Sequence, residues 1–464
     1  MREGASPLLL AYYGDDFTGS SDALDFLSKA GVKTVLFIAP PSPGQLAKYK
    51  GIQAIGIAGM TRSMGPSAMG KELQEAFIAL KKSGARQVHY KVCSTFDSSP
   101  EIGNIGKAVE VGLRVFQAPY ASLLVAAPEL GRYCAFGNLF ARMGIGSKGE
   151  IHRLDRHPSM SKHPTTPANE SDLRLHLSKQ TDLNIGLVDL LEVESGGDVL
   201  DDALKRELKA GAKVVLYDAM YSRQLTEIGR MLDQAGKEKI HFSVGSSGIE
   251  MALGAFWKTN NTLQGQKTWE KPAKASPMLV LSGSCSPVTE GQIAYARMHG
   301  FDEIALDPRK LAAVPKLTQN YAESAVQMMK AGKSVIVHTA CGAEDSRRKA
   351  TREVLVKQGI SPEDVNAKTA DFFGTALGEI ARKAAEQFPF KRLLIAGGDT
   401  SSKVARVLGI EAVEMLAPLV PGAPLCKAHA PNSPIDGKEV NFKGGQVGAE
   451  DYFVKVMEGR MNLE

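Results

Sequence analysis

The stretch LLLAYYGDDFTGSSDAL, residues 8–24, decides the frame. An uninterrupted apolar run ends at Gly14, two aspartates follow, and Thr18, Gly19 and paired serines open a segment with helical spacing. A continuous apolar run that feeds a polar turn and then a helix is the unit of an α/β sheet buried on both faces. Gly14 and Gly19 have the spacing of the first part of a phosphate loop, but Ser20 stands where that loop needs lysine. Asp15 and Asp16 also place negative charge where a phosphate cradle needs bare N–H groups. Carboxylates suit hydroxyl groups, which they orient or deprotonate. One aspartate suffices to cap a helix, so the second is surplus to that need.

Working outward, the same alternation recurs: KTVLFIA and IQAIGIAGM, then QVHYKVC, ASLLVAAP, KVVLYDA and IHFSVGSS, with helical stretches between most of them. Polar residues that stand out follow three of these runs: Asp15 and Asp16, then Thr61, Arg62 and Ser63, then Lys91, Ser94 and Thr95. Open α/β sheets bind ligands beyond the carboxyl ends of their strands, so the three clusters are expected on one rim. A polar stretch with two prolines, residues 260–277, reads as a linker between an N-terminal domain (1–259) and a C-terminal domain (278–464). The expected fold is α/β with two domains, each holding a largely parallel sheet covered by helices on both faces.

Beyond the linker, three strand ends enter glycine- or serine-rich turns. Ser282 and Ser284 lie in VLSGSCSP, Gly397, Gly398, Asp399 and Thr400 in LLIAGGDTSS, and Lys443, Gly444 and Gly445 in FKGGQVG. Glycines admit close backbone approach and helix N-termini favour phosphate oxygens, so together these predict a nucleotide or phosphate site.

Composition narrows the classes. With 464 residues, 43% hydrophobic and 23% charged, the chain is ordinary for a globular protein of two to four domains. A net charge of +5 without a Lys/Arg run argues against nucleic acid as a partner. The five cysteines form no C-x-x-C pair, which excludes a disulfide framework and a zinc knuckle, and no apolar run approaches a membrane span. A cytoplasmic protein is expected. GIGSKG, from Gly144, matches a dinucleotide fingerprint but lacks the strand before it. His157 and His163 share no helical face and have no companion ligands, so no metal site is assigned to protein side chains.

In combination these segments resemble the four-carbon acid sugar kinase family, which phosphorylates small sugar acids with ATP. The resemblance rests on GDDFTGSSDAL, TRS at 61, YKVCST at 90, HPTTPANESDL at 163, SGSCSP at 282, AGGDTS at 396 and KGGQVGAED at 443. They occur in the family's order across nearly the whole chain. The resemblance implies that Asp15 and Asp16 serve the acid's hydroxyls and that Arg62 and Lys91 belong to the acid pocket. It places Ser284, Gly397 to Thr400, and Gly444 to Gly445 against ATP. One departure concerns KVCSTFDSSPEIGNIG, from Lys91, where many members carry an aspartate at the Cys93 position and an arginine after it. Asp97 stands nearby as a partial replacement.

The implied reaction is transfer of the γ-phosphoryl group of ATP, with Mg²⁺ on the phosphates, to a hydroxyl of a tetronate or 3-oxo-tetronate. Arg62, Lys91, Ser94 and Thr95 are expected to hold the carboxylate, and Asp15 or Asp16 to activate the hydroxyl. Lys443 is expected to offset charge on the transferred group. Closure of the domains is expected to exclude water. A branched 3-oxo acid such as 3-oxo-isoapionate is the alternative substrate, and a non-catalytic sugar-acid sensor is the rival outside enzymes. A dehydrogenase would need the dinucleotide fingerprint in its proper context. Oligomeric state leaves no motif, and a homodimer is compatible with the chain.

Overall fold

The computed structural model describes residues 8–143, 149–163, 165–263, 268–314, 316–361 and 365–461. The glycine match beginning at Gly144, Pro164 of the loop motif and residues 264–267 of the expected linker lie outside these. The chain forms two compact units, Met1–Lys267 and Thr268–Glu464.

The first unit holds strands β1 (Leu10–Gly14), β2 (Thr34–Phe37), β3 (Ala54–Ala58), β4 (Gln87–Lys91), β5 (Ala121–Leu124), β6 (Arg132–Ala135), β7 (Asn138–Arg142), β8 (Ile151–Arg153), β9 (Ile185–Val188), β10 (Val214–Tyr217) and β11 (His241–Gly245). Eight of them run β2-β3-β1-β4-β11-β5-β10-β9, every pair parallel. β1, β3, β4 and β11 are buried along their whole length; β1 and β3 accordingly read as apolar runs, whereas β4 and β11 alternate apolar residues with the buried polar Gln87, His89, Lys91, His241 and Ser243. β6, β7 and β8 form a separate antiparallel sheet.

Register aligns the strand exits. Gly14 pairs with both Ala58 and Lys91, so the residues after β1, β3 and β4 leave the sheet at one level. From β1 the chain passes toward β2 on one side, and from β4 toward β5 on the other. The adjacent strands β1 and β4 therefore flank a topological switch point, where a crevice opens for a ligand.

The second unit contains β12 (Leu279–Ser282), β13 (Phe301–Ala305), β14 (Ser334–His338), β15 (Arg392–Ala396), β16 (Ala412–Val420), β17 (Ala423–His429) and β18 (Glu439–Lys443). Their order is β13-β14-β12-β15-β18-β17-β16; the first five are parallel, and β16 and β17 pair antiparallel through a Pro421-Gly422 turn. Val280, Ile336 and Leu394 of the sheet pack in one buried core with Ile293 and Ala296 of the helix Pro287–Met298 and with Tyr452 and Phe453. Here β12 and β15 are the adjacent strands whose connections diverge, so the same switch-point geometry recurs. The two-domain, largely parallel α/β expectation holds, with β6–β8 in the first unit and β16–β17–β18 in the second as antiparallel additions. No helix among the described residues is long and apolar enough to cross a membrane.

Candidate active site

Asp15 and Asp16 meet Arg62 at the first switch point. Arg62 Nε and Nη2 donate to the two oxygens of Asp15 at 3.1 and 2.7 Å, and Nη1 donates to Asp16 Oδ2 at 2.6 Å. Asp16 is also the cap of the helix Phe17–Ala30, its Oδ1 accepting from Gly19 N at 2.6 Å and its Oδ2 from Thr18 Oγ1 at 2.9 Å. The capping role and the second acid are thus both present, on adjacent residues. Burial pushes the Asp15 carboxyl above its usual range, against the opposing pull of Arg62. Burial works against the Arg62 charge, and Asp15 and Asp16 outweigh it, holding the guanidinium firmly protonated.

Two glycines of the motif are required by contact. A Cβ on Gly14 would lie 2.0 Å from Ser20 Oγ. One on Gly19 would meet Asp16 Oδ1 at 2.7 Å, Lys91 Nζ at 3.4 Å and Arg62 Nη2 at 3.6 Å, so this glycine sits where all three side chains converge.

Lys91 is fully buried; its ammonium donates to Val92 O at 2.8 Å and lies 3.7 Å from Asp22 Oδ2. The same Asp22 oxygen accepts from Ser247, which follows β11. Burial raises the Asp22 carboxyl. Behind this pair, His89 Nδ1 contacts Glu250 Oε1 at 2.6 Å in a fully buried setting. Thr61 is buried with its hydroxyl 2.9 Å from Tyr90 OH, behind the crevice. Ser94 and Thr95 are buried after β4, and Thr95 Oγ1 lies 3.0 Å from Cys93 Sγ. Burial, with Asp97 adding to it, pushes the Cys93 thiol up to about 11, so it stays neutral. His157 and His163 are turn acceptors: each Nδ1 takes backbone N–H groups, of Ser159 and Met160 in one case and Thr166 in the other.

Sequence reading missed Asp22, Ser247 and Glu250. Asp22 was inside the quoted motif, whereas Ser247 and Glu250 follow a strand far along the chain and carry no local signal.

In the second unit the three predicted turns come together. A Cβ on Gly283 would lie 2.0 Å from Thr400 Oγ1, and one on Gly445 would lie 2.7 Å from Ser284 Oγ. Gly397 has φ +119 and lies against Thr400 and the Ser284 N–H. Its own N–H donates to Lys443 O at 2.9 Å. The helices Pro287–Met298 and Gly398–Val407 both begin at this cluster. Ser282 Oγ is buried there with no partner. Lys443 is fully buried, its ammonium donating to Thr289 Oγ1 at 3.1 Å and resting 5.8 Å from the Tyr452 ring centre. Burial lowers it to about 7. It was expected as a cation next to the bare backbone of Gly444 and Gly445; the structure buries it there, with its Nζ 3.5 Å from Gly445 O.

Two α/β units, with paired acids at one switch point and a glycine-lined turn cluster that opens two helices at the other, are the geometry of an enzyme with two separate binding units. A model of a sugar-binding N-terminal domain matches residues 10–253, and one of a nucleotide-binding C-terminal domain matches 279–453. The 3-oxo-isoapionate kinase of Paraburkholderia graminis is 41% identical over 458 residues, spanning 98% of this chain and 95% of that one. The 3-oxo-tetronate kinase of Methylobacterium radiotolerans is 30% identical, covering 97% of this chain and 99% of its own. A crystal structure from Salmonella typhimurium LT2 aligns at 25% identity with TM-score 0.76, over 96% of this chain and 98% of that one. A Haemophilus influenzae structure, 23% identical with TM-score 0.69 over 97% and 100%, shares the fold. The chain belongs to the four-carbon acid sugar kinase family and is an ATP-dependent carbohydrate-acid kinase.

Proposed function

We propose that this kinase phosphorylates a hydroxyl of a 3-oxo sugar acid, with a branched acid of the 3-oxo-isoapionate type as the preferred substrate and a linear 3-oxo-tetronate as the second. The observation that carries this choice is the 41% identity, over nearly the whole chain, with a relative named for the branched acid. The neutral Cys93 in place of an aspartate supports it, because it removes a charge from the pocket wall.

Asp16 is the base in this reading. Asp15 is only 2% exposed and gripped by two guanidinium nitrogens, whereas Asp16 retains more access to the crevice. A carboxylate that accepts the hydroxyl proton and a guanidinium that fixes its direction supply positioning, which dominates phosphoryl transfer. The Arg62 nitrogens Nε, Nη1 and Nη2 are all engaged by the aspartates, so Arg62 orients the acids; the expected grip on the substrate carboxylate falls to other groups. Lys91 places its Nζ beside Asp22, 3.7 Å from Oδ2. In the second unit Ser282, Ser284, Gly397 to Thr400, and Gly444 to Gly445 receive the ATP phosphates, with Lys443 beneath. The buried, unpartnered Ser282 hydroxyl is what such a ligand would satisfy. Mg²⁺, hard and strongly hydrated, would be held chiefly by the phosphates and water and would offset their charge.

The test is ADP release from ATP and Mg²⁺ against 3-oxo-isoapionate, 3-oxo-tetronates, threonate and erythronate. Turnover of the branched acid ahead of the linear ones is expected. Turnover confined to a linear acid would overturn the branched assignment.

A further inference from the structure

Arg132 opens β6, on the chain that leaves β5, and is buried to 6% exposure. Only one of its nitrogens is used: Nη1 donates to the carbonyls of Leu130, Gly131 and Arg142 at 3.1, 3.3 and 3.1 Å. Its Nε is buried with no hydrogen-bond partner. Among the described residues no carboxylate pairs with it; Asp97 and Asp22 act on it only at longer range. Nη1 anchors the group to backbone, which leaves the Nε–Nη2 edge facing away from those carbonyls. That edge presents two parallel N–H bonds, the arrangement that takes a carboxylate in bidentate fashion.

A buried guanidinium without a counter-ion is costly, and structures keep one where a ligand completes it. Register places that ligand on the rim that carries Cys93: Gly245 pairs with both Lys91 and Leu124, so the chain leaving β5 toward Arg132 and the chain leaving β4 toward Cys93 start at one level. An aspartate at 93 would give Arg132 a resident partner, whereas the neutral thiol leaves it unpaired. Asp97 does not supply one: its Oδ1 is itself unpartnered, beside a cavity of about 10 Å³ lined by Thr95, Ser98 and His176. Arg62 has its Nε–Nη2 edge on Asp15 and Nη1 on Asp16, which uses three of its five N–H donors and leaves that edge closed to the acid's carboxylate.

We propose that Arg132 is the carboxylate anchor of the acid pocket, and that Cys93 is the residue that keeps it free for substrate. The inference rests on the sugar-acid reading of the first unit. It makes the pocket specific for an acid over its uncharged analogue through a residue outside every motif of the chain.

The experiment is calorimetric binding of 3-oxo-isoapionate and of its carboxamide to the full chain without nucleotide, with turnover measured in parallel. In the unmodified protein the acid binds and the carboxamide binds far more weakly. Arg132→Gln should weaken acid binding about 10- to 100-fold while changing carboxamide binding little, so that the discrimination collapses. Arg132→Lys should recover part of it, having charge but no fork. Cys93→Asp, which leaves the backbone carbonyl contacts intact, should also weaken the acid selectively. KM for ATP should not move in any of them. Retained discrimination in both Arg132→Gln and Cys93→Asp would overturn the anchor, and continued turnover would show the kinase reading standing without it. Arg132-dependent acid binding without turnover of any acid would do the reverse. Failure of the unmodified protein to bind the acid would overturn the anchor for this substrate class.

Discussion

At the residue scale the paired aspartates divide their labour by hydrogen bonding. Asp16 caps a helix and still faces the crevice; Asp15 is held in the Arg62 fork. Asp16→Asn keeps an acceptor for the Gly19 N–H but cannot take a proton. Turnover should fall by about two to four orders of magnitude with ATP affinity unchanged. Retention of most activity would move the base to Asp15. Lys443 makes a second prediction. Burial lowers it from 10.5 to about 7, so at pH 8 the free protein holds it mostly as the amine. Phosphates above it favour the ammonium, and ATP binding at pH 8 should take up close to about one proton, read from heats in buffers of different ionisation enthalpy. Lys443→Met should abolish that uptake. The same shift has a sign for stability. The penalty of the buried ammonium is fully present below about pH 7 and is relieved as pH rises toward the unfolded value of 10.5. Lys443→Met should therefore stabilise the second unit most in acid, with the gain shrinking as pH rises.

At the element scale the strand–turn–helix units work through close approach. Gly14 ends β1 directly under Ser20 of the following helix, and a Cβ there would fall 2.0 Å from its hydroxyl oxygen. Gly14→Ala should cost about 1–3 kcal/mol by forcing the helix start off the strand end. It should lower turnover as well, because the Asp16 cap moves with that turn. Ser20→Ala in the same chain should recover part of both losses, measured as the denaturation midpoint and kcat. The main elements of this kind were legible from sequence, because most of the buried parallel strands are apolar runs that end in a polar turn. The hairpin β16–β17 was not foreseen. An antiparallel pair whose strands carry both buried and exposed positions leaves a mixed pattern that also suits a loop, and Pro421-Gly422 reads as a turn without naming what it joins.

For the whole molecule, two units with separate cores predict separable responses to ligand. In scanning calorimetry the sugar acid should raise the transition of the first unit and ATP that of the second, each by mass action on the state it binds. One coincident transition raised equally by either ligand alone would count against independent cores. The sequence by itself determined the α/β class, the acid turn after the first strand and the glycine-rich turns after β12 and β15, because these follow from local periodicity and from residue types that suit few other roles. Only the tertiary structure decided what the side chains do with one another. It turned Arg62 inward to the aspartates, drew Asp22 and Ser247 together around Lys91, buried Lys443, and brought an unpaired Arg132 within reach of Cys93. Those contacts join residues tens to hundreds of positions apart, and strand order and register, which set them, are properties of the packed sheet that local spacing does not encode.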